Sequence, residues 1–112
     1  MPLITVQTSS CDIENPQSFL QDLSKELSSL TGKPESYVMT QLHQNVPMTF
    51  GGTPKASCYI EIKSIGSIDP SNMSKAFCKL IEERIGIPSD RIYISFEDVP
   101  AKLWGWDGRT FG

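Results

Sequence analysis

Apolar residues at Phe19, Leu20, Leu23, Leu27 and Leu30 fall on one stripe at helical spacing. A second stripe, Met73, Phe77, Leu80, Ile81 and Ile85, follows in the other half of the chain. Each has a start and a stop. Asn15 suits an N-cap and Pro16 the first helical position, and Asp69-Pro70 repeats that opening. Gly32 suits the left-handed residue after a helix, and Pro34 blocks continuation. Gly86 and Pro88 repeat the stop at an offset of 54 residues. Runs rich in isoleucine, valine and tyrosine flank both helices: Pro2–Gln7, Tyr37–Gln44, Ser57–Lys63 and Arg91–Glu97.

The order is therefore β-α-β twice, each crossover right-handed with parallel strands. Two such units predict an α+β two-layer sandwich, a four-stranded mixed sheet with two helices on one face. The pseudo-repeat halves are residues 2–54 and 56–99, with Met48–Pro54 supplying the turn residues of a linker. Residues 100–112 have no counterpart in the first half. Trp104, Trp106 and Phe111 hold too much apolar area to leave in water, and Asp107-Gly108 is a turn signal. This tail is expected to be a hairpin packed on something, a neighbouring subunit being the natural candidate. The open face and edges of a four-stranded sheet also call for an oligomer.

With 112 residues, the chain is expected to be a single domain, 1–112. A net charge of -3 and the lack of a basic run exclude a nucleic-acid footprint and an anionic-membrane patch. No apolar run is long enough to span a bilayer, and no signal peptide is visible, so a cytoplasmic setting is expected, with non-classical secretion open. Cys11, Cys58 and Cys78 fit neither a disulfide framework nor a metal site and read as reduced, mostly buried thiols. His43 is the one histidine. No metal or organic cofactor is expected.

Position 2 carries the clearest hint of chemistry. An initiator Met before Pro is usually removed, which would leave Pro2 as a secondary amine at the end of a strand. Such an amine in an apolar pocket can act as a base near neutral pH. A proline at position 2 has no chemical meaning by itself; the motifs around it give it one.

Those motifs are Met1-Pro2, Leu30-Thr31-Gly32-Lys33-Pro34, Phe50-Gly51-Gly52, Ser64-Ile65-Gly66, Glu83-Arg84, Asp90-Arg91-Ile92-Tyr93-Ile94, and Gly105-Trp106 followed by Thr110-Phe111. Together, in order and in register, they make the chain resemble the macrophage migration inhibitory factor family of the tautomerase superfamily, nearly end to end. The resemblance implies the duplicated β-α-β fold, assembly as a homotrimer, and active sites between adjacent subunits. It implies Pro2 as catalytic base and Lys33 as its cationic partner. Ser64 and Ile65 fall where the family lines its pocket, the latter offering a backbone N–H to substrate. Tyr37, Trp106 and Phe111 match aromatic pocket positions, and Tyr93 matches a residue given by a neighbouring subunit. Ser95 stands where some members have a longer amide reaching the substrate's far end.

The implied reaction is keto–enol tautomerisation of a small aromatic α-keto acid such as phenylpyruvate, or of dopachrome-like compounds. A base must be free near pH 7 and return its proton. Lys33 would bind a carboxylate and offset enolate charge, while the aromatics hold a ring. The sequence departs from the family at Ser57-Cys58-Tyr59-Ile60, which lacks a Cys-x-x-Cys, so dithiol redox chemistry is not expected. Trp104 replaces a small aliphatic at the rim, and Lys63 a histidine seen in some relatives. A cytokine-like binding protein is the main alternative. Decarboxylation or dehalogenation ranks last, because Arg84, Arg91 and Arg109 fall at no matching pocket position.

Overall fold

Asn15 and Asp69 open the two helices as their sequence predicts. The structure is a computed structural model describing residues 1–112. In the first helix, α1 (Pro16–Thr31), the Asn15 side chain accepts a hydrogen bond from the Ser18 N–H at 3.2 Å. In the second, α2 (Pro70–Ile85), Asp69 accepts from the Asn72 N–H at 3.5 Å. Gly32 and Gly86 follow with φ of 71° and 73°, where a side chain would be strained.

Four strands form the sheet: β1 (Leu3–Thr8), β2 (Met39–His43), β3 (Cys58–Ser64) and β4 (Ile92–Asp98). Their order is β2-β1-β3-β4. Strands β1 and β2 are parallel, as are β3 and β4, and the antiparallel β1–β3 pair joins the two units. This is the mixed four-stranded sheet that the repeat predicts.

The outer strands begin later than the sequence suggests. Residues Glu35–Tyr37 and Ser89–Arg91 form 3-10 turns instead. Pro34 and Pro88 are extended, and each carbonyl accepts from the N–H three residues on, Tyr37 at 3.0 Å and Arg91 at 2.9 Å. A tight turn therefore precedes each strand, and it takes Tyr37 and Arg91 out of the sheet. That shift leaves the Tyr37 ring 40% exposed at the sheet's end, free for a pocket.

Ile4, Val6, Ile60 and Ile62 of the inner strands meet Phe19, Leu23 and Leu27 of α1 and Met73, Phe77 and Ile81 of α2, all fully buried. Each such side chain contributes roughly 1.5–3 kcal/mol of burial. Leu20, Leu30, Leu80 and Ile85 flank this core and are only partly covered. Arg84 of α2 pairs with Asp22 of α1 and lies over the Phe19 ring at 5.8 Å, tying the helices together. No helix is long and apolar enough to cross a membrane.

The sheet's other face is polar. Thr5 donates to Gln41 at 3.3 Å, and the Tyr59 and Ser95 hydroxyls bond at 2.7 Å. The Arg91 guanidinium donates to the carbonyls of Phe50 (3.2 Å), Thr53 (3.3 Å), Lys55 (2.9 Å) and Ala56 (2.9 Å), fixing the linker between the halves. All three cysteines are free, but only Cys58 is fully buried, and burial pushes its thiol up to about 12. Cys78 is half-buried and its thiol is also raised, while Cys11 is exposed because it sits in the loop after β1.

Candidate active site

Pro2 lies immediately before β1 and is buried. Its carbonyl accepts from the Met39 N–H at 3.0 Å, so the β1–β2 ladder extends to it and holds it in place. The tail then folds back over this point. Two short strands, β5 (Gly105–Trp106) and β6 (Arg109–Thr110), pair around Asp107 and Gly108, whose φ values of 51° and 76° make the turn. Trp106 stacks with Phe111 at 5.8 Å and meets Tyr37 edge-on at 5.9 Å. Arg109 lies over the Trp106 ring at 5.0 Å, outside the cavity lining. The tail thus covers the first residues of its own chain. Trp106 and Leu103 keep exposed apolar surface beyond this contact.

Pro2, Tyr37, Met39, Trp104, Trp106 and Phe111 are among the side chains that enclose a cavity of about 480 Å³. The wall is mainly apolar, with Lys63 and Glu97 as its charged members. The amine at the chain's first residue is pushed down to about 6 from an ordinary 8.0. Burial is the larger cause, and the adjacent Lys33 ammonium is the second. The Lys33 Nζ donates to the Ile65 carbonyl at 2.7 Å, which pins the cation across the end of β3. The turn carrying Ile65 is itself fixed: Val99 N–H donates to the Ser64 carbonyl at 2.8 Å, and Gly66 N–H to Asp98 at 2.9 Å. The Ile65 N–H has no acceptor in the chain. Ser64 Oγ is fully buried without a hydrogen-bond partner, on the core side of β3.

The structure therefore gathers Pro2, Lys33, Tyr37, Ile65, Trp106 and Phe111 at one end of the sheet. Tyr93 and Ser95 lie elsewhere. The register runs Leu3–Lys63–Glu97 at the pocket end and Gln7–Tyr59–Tyr93 farther along. Four residues of strand separate Tyr93 from Glu97, roughly 13 Å. Tyr93 is 66% exposed, with Phe50 against its ring at 4.7 Å, so it cannot serve its own chain's pocket. Lys63 is marked in the sequence only as a departure from the family, and Glu97 carries no motif; the structure sets both on the cavity wall. Their signal is the register that sets Lys63 opposite Leu3 and beside Glu97, and a single sequence does not give register.

A duplicated β-α-β unit closed into one mixed sheet of order β2-β1-β3-β4, with two helices packed on it, is the tautomerase class of fold. The family model described as "Macrophage migration inhibitory factor (MIF)" matches residues 1–112. The macrophage migration inhibitory factor of Rattus norvegicus is 38% identical over 114 residues, covering 99% of each chain. The crystal structure of a homologue from Prochlorococcus marinus has a TM-score of 0.94 at 54% identity, over 98% of this chain and 99% of that one. A macrophage migration inhibitory factor-like protein from Entamoeba histolytica has a TM-score of 0.90 at 33% identity, over 98% of each chain. The chain belongs to the macrophage migration inhibitory factor family.

Proposed function

We propose that this protein is a cofactor-free keto–enol tautomerase of aromatic α-keto acids, phenylpyruvate foremost and dopachrome-like compounds second. The observation that carries the reading is the amine at the chain's start, lowered to about 6 beside Lys33 in an aromatic cavity. Removal of Met1 hands that amine to Pro2, one residue deeper and buried. The neutral nitrogen takes a proton from the carbon next to the substrate's carbonyl. The electron pair moves to the carbonyl oxygen, which becomes an enolate and then takes a proton. The reverse path returns the keto form, with no net loss of atoms or electrons. Lys33 binds the carboxylate and offsets the enolate charge, and the Ile65 N–H offers a further donor. Tyr37, Trp106 and Phe111 hold the ring.

The assembly in this reading is a homotrimer of single-domain chains. Tyr93 and Ser95 then serve a neighbour's site, which accounts for their distance from their own. Ser64, expected in the pocket lining with Ile65, has its side chain on the core side of β3 instead, and it contributes through its carbonyl, which holds the turn carrying Ile65. A cytoplasmic setting goes with the reading, as does the absence of a nucleic-acid or membrane partner.

The test is turnover of phenylpyruvate by the processed chain, followed in the ultraviolet. Activity is expected, and its complete absence from a folded, processed assembly would favour a binding or signalling protein. The sign of the pH dependence follows from the depressed amine. Its charged form is inactive, so kcat/KM rises with pH as the amine loses its proton and then levels off; burial and the Lys33 ammonium, which both lower the terminal amine, set that rise below the ordinary range of an α-amino group. Lys33→Met is expected to lower kcat/KM by about 100-fold through loss of charge stabilisation. It should also move the pH profile upward, since the ammonium that helps depress the amine is gone. A variant with unchanged rate and profile would remove Lys33 from the site.

A further inference from the structure

Lys63 lines the same cavity as Pro2. Strand alternation points it away from the core, and the β1–β3 register sets it opposite Leu3, at the pocket's open side. Its ammonium has no partner in the chain: the ion pairs are Lys79–Glu83, Arg84–Asp22 and Arg109–Asp107. Glu97 sits beside it in the β3–β4 register and lines the cavity too, yet the two charges form no ion pair. Lys33, by contrast, is held on the Ile65 carbonyl next to the terminal amine. One cation, Lys33, is therefore held beside the terminal amine that borders the cavity, and another, Lys63, stands free on the cavity wall itself.

We propose that Lys63 is a specificity-determining residue that selects ligands carrying a second carboxylate, distal to the keto-acid group. The inference rests on the tautomerase reading only for the placing of the keto acid against Lys33. A partly covered ammonium without a counter-ion gains by meeting a carboxylate, and the apolar wall around it raises that gain above its value in open water. Glu97 acts against the same ligand. Its charge lowers the affinity for a second carboxylate and favours a neutral or donor group there. The balance of the two sets which keto acids the pocket prefers.

The experiment titrates the processed protein with phenylpyruvate and with 4-carboxyphenylpyruvate, read by quenching of Trp104 and Trp106 and, in parallel, by turnover. The dicarboxylate is expected to bind about tenfold tighter. Lys63→Gln should erase that preference through KM with kcat unchanged, and Glu97→Gln should widen it. Equal affinity of the parent protein for both ligands overturns the proposal. So does a Lys63→Gln variant that keeps the preference, loses both ligands alike, or changes the mass of the assembly. A clear binding preference without turnover of either compound supports the role of Lys63 while removing the tautomerase reading.

Discussion

A chain that keeps any residue in front of Pro2 is expected to turn over phenylpyruvate at least ~100-fold more slowly than the processed chain. The reason is electronic. Bonded to a preceding residue, the Pro2 nitrogen is a tertiary amide whose lone pair is delocalised into the carbonyl. It can neither take nor return a proton near neutral pH. The preceding residue's own amine is no substitute, because it is displaced by one residue along an extended chain, about 3.5 Å from where the proline nitrogen sits. A displacement of even 1 Å from productive geometry can cost 100-fold. Intact mass fixes which chain is present, and kcat/KM then compares them. Equal rates for the two forms would end the role of Pro2. Pro2→Gly is the companion variant. It keeps a terminal amine at the same place but loses the secondary nitrogen and the ring that fixes its direction, so it should fall well below the parent as well.

The largest effect on stability is expected at Phe77. Its side chain is fully buried where α2 meets the sheet and α1. Truncation to alanine removes the ring and leaves a cavity in the middle of the core, at a cost of about 3–5 kcal/mol. That is a large share of the roughly 5–15 kcal/mol that holds a domain of this size together. Urea denaturation of the variant should show a midpoint shift with little change in slope. Lys79, two residues along the same helix and 77% exposed at its side chain, is the control. Its i,i+4 pair with Glu83 at 4.0 Å is solvated, and Lys79→Ala should stay within about 0.5 kcal/mol. Comparable losses at both sites would mean that the core is not where this sheet and its helices meet.

Much of this architecture could be read from the chain. The helix stripes, the caps at Asn15 and Asp69 and the stops at Gly32 and Gly86 are local signals, and each is realised locally. The strand beginnings were less legible, since a Pro-led 3-10 turn and a strand start look alike in a tyrosine-containing run. At the site, Pro2, Lys33, Tyr37, Trp106 and Phe111 were each recognisable from motifs, but the contact between Tyr37 and Trp106 joins distant segments and could not be derived from spacing. That Lys63 and Glu97 share the cavity wall could not be derived from spacing for the same reason. A charged residue alternating with isoleucines reads as a solvated face until the neighbouring strand is known.

The 54-residue offset makes Tyr37 the counterpart of Arg91 and Lys33 the counterpart of Ile87. Both pairs have parted ways. The first copy keeps an aromatic and a cation around an open cavity at the free end of β1. In the second, Ile87 is sunk in the core and Arg91 fastens the incoming segment onto the start of β3 through Ala56. The twin of the pocket is stoppered by the chain's own midsection. Stoichiometry follows from this: a molecule with two nearly equivalent scaffolds has one cavity of this kind, and saturation should come at one ligand per polypeptide. Opening the plug by Arg91→Ala would loosen the joint between the copies without creating a second working cavity, because the twin has no chain terminus to supply an amine.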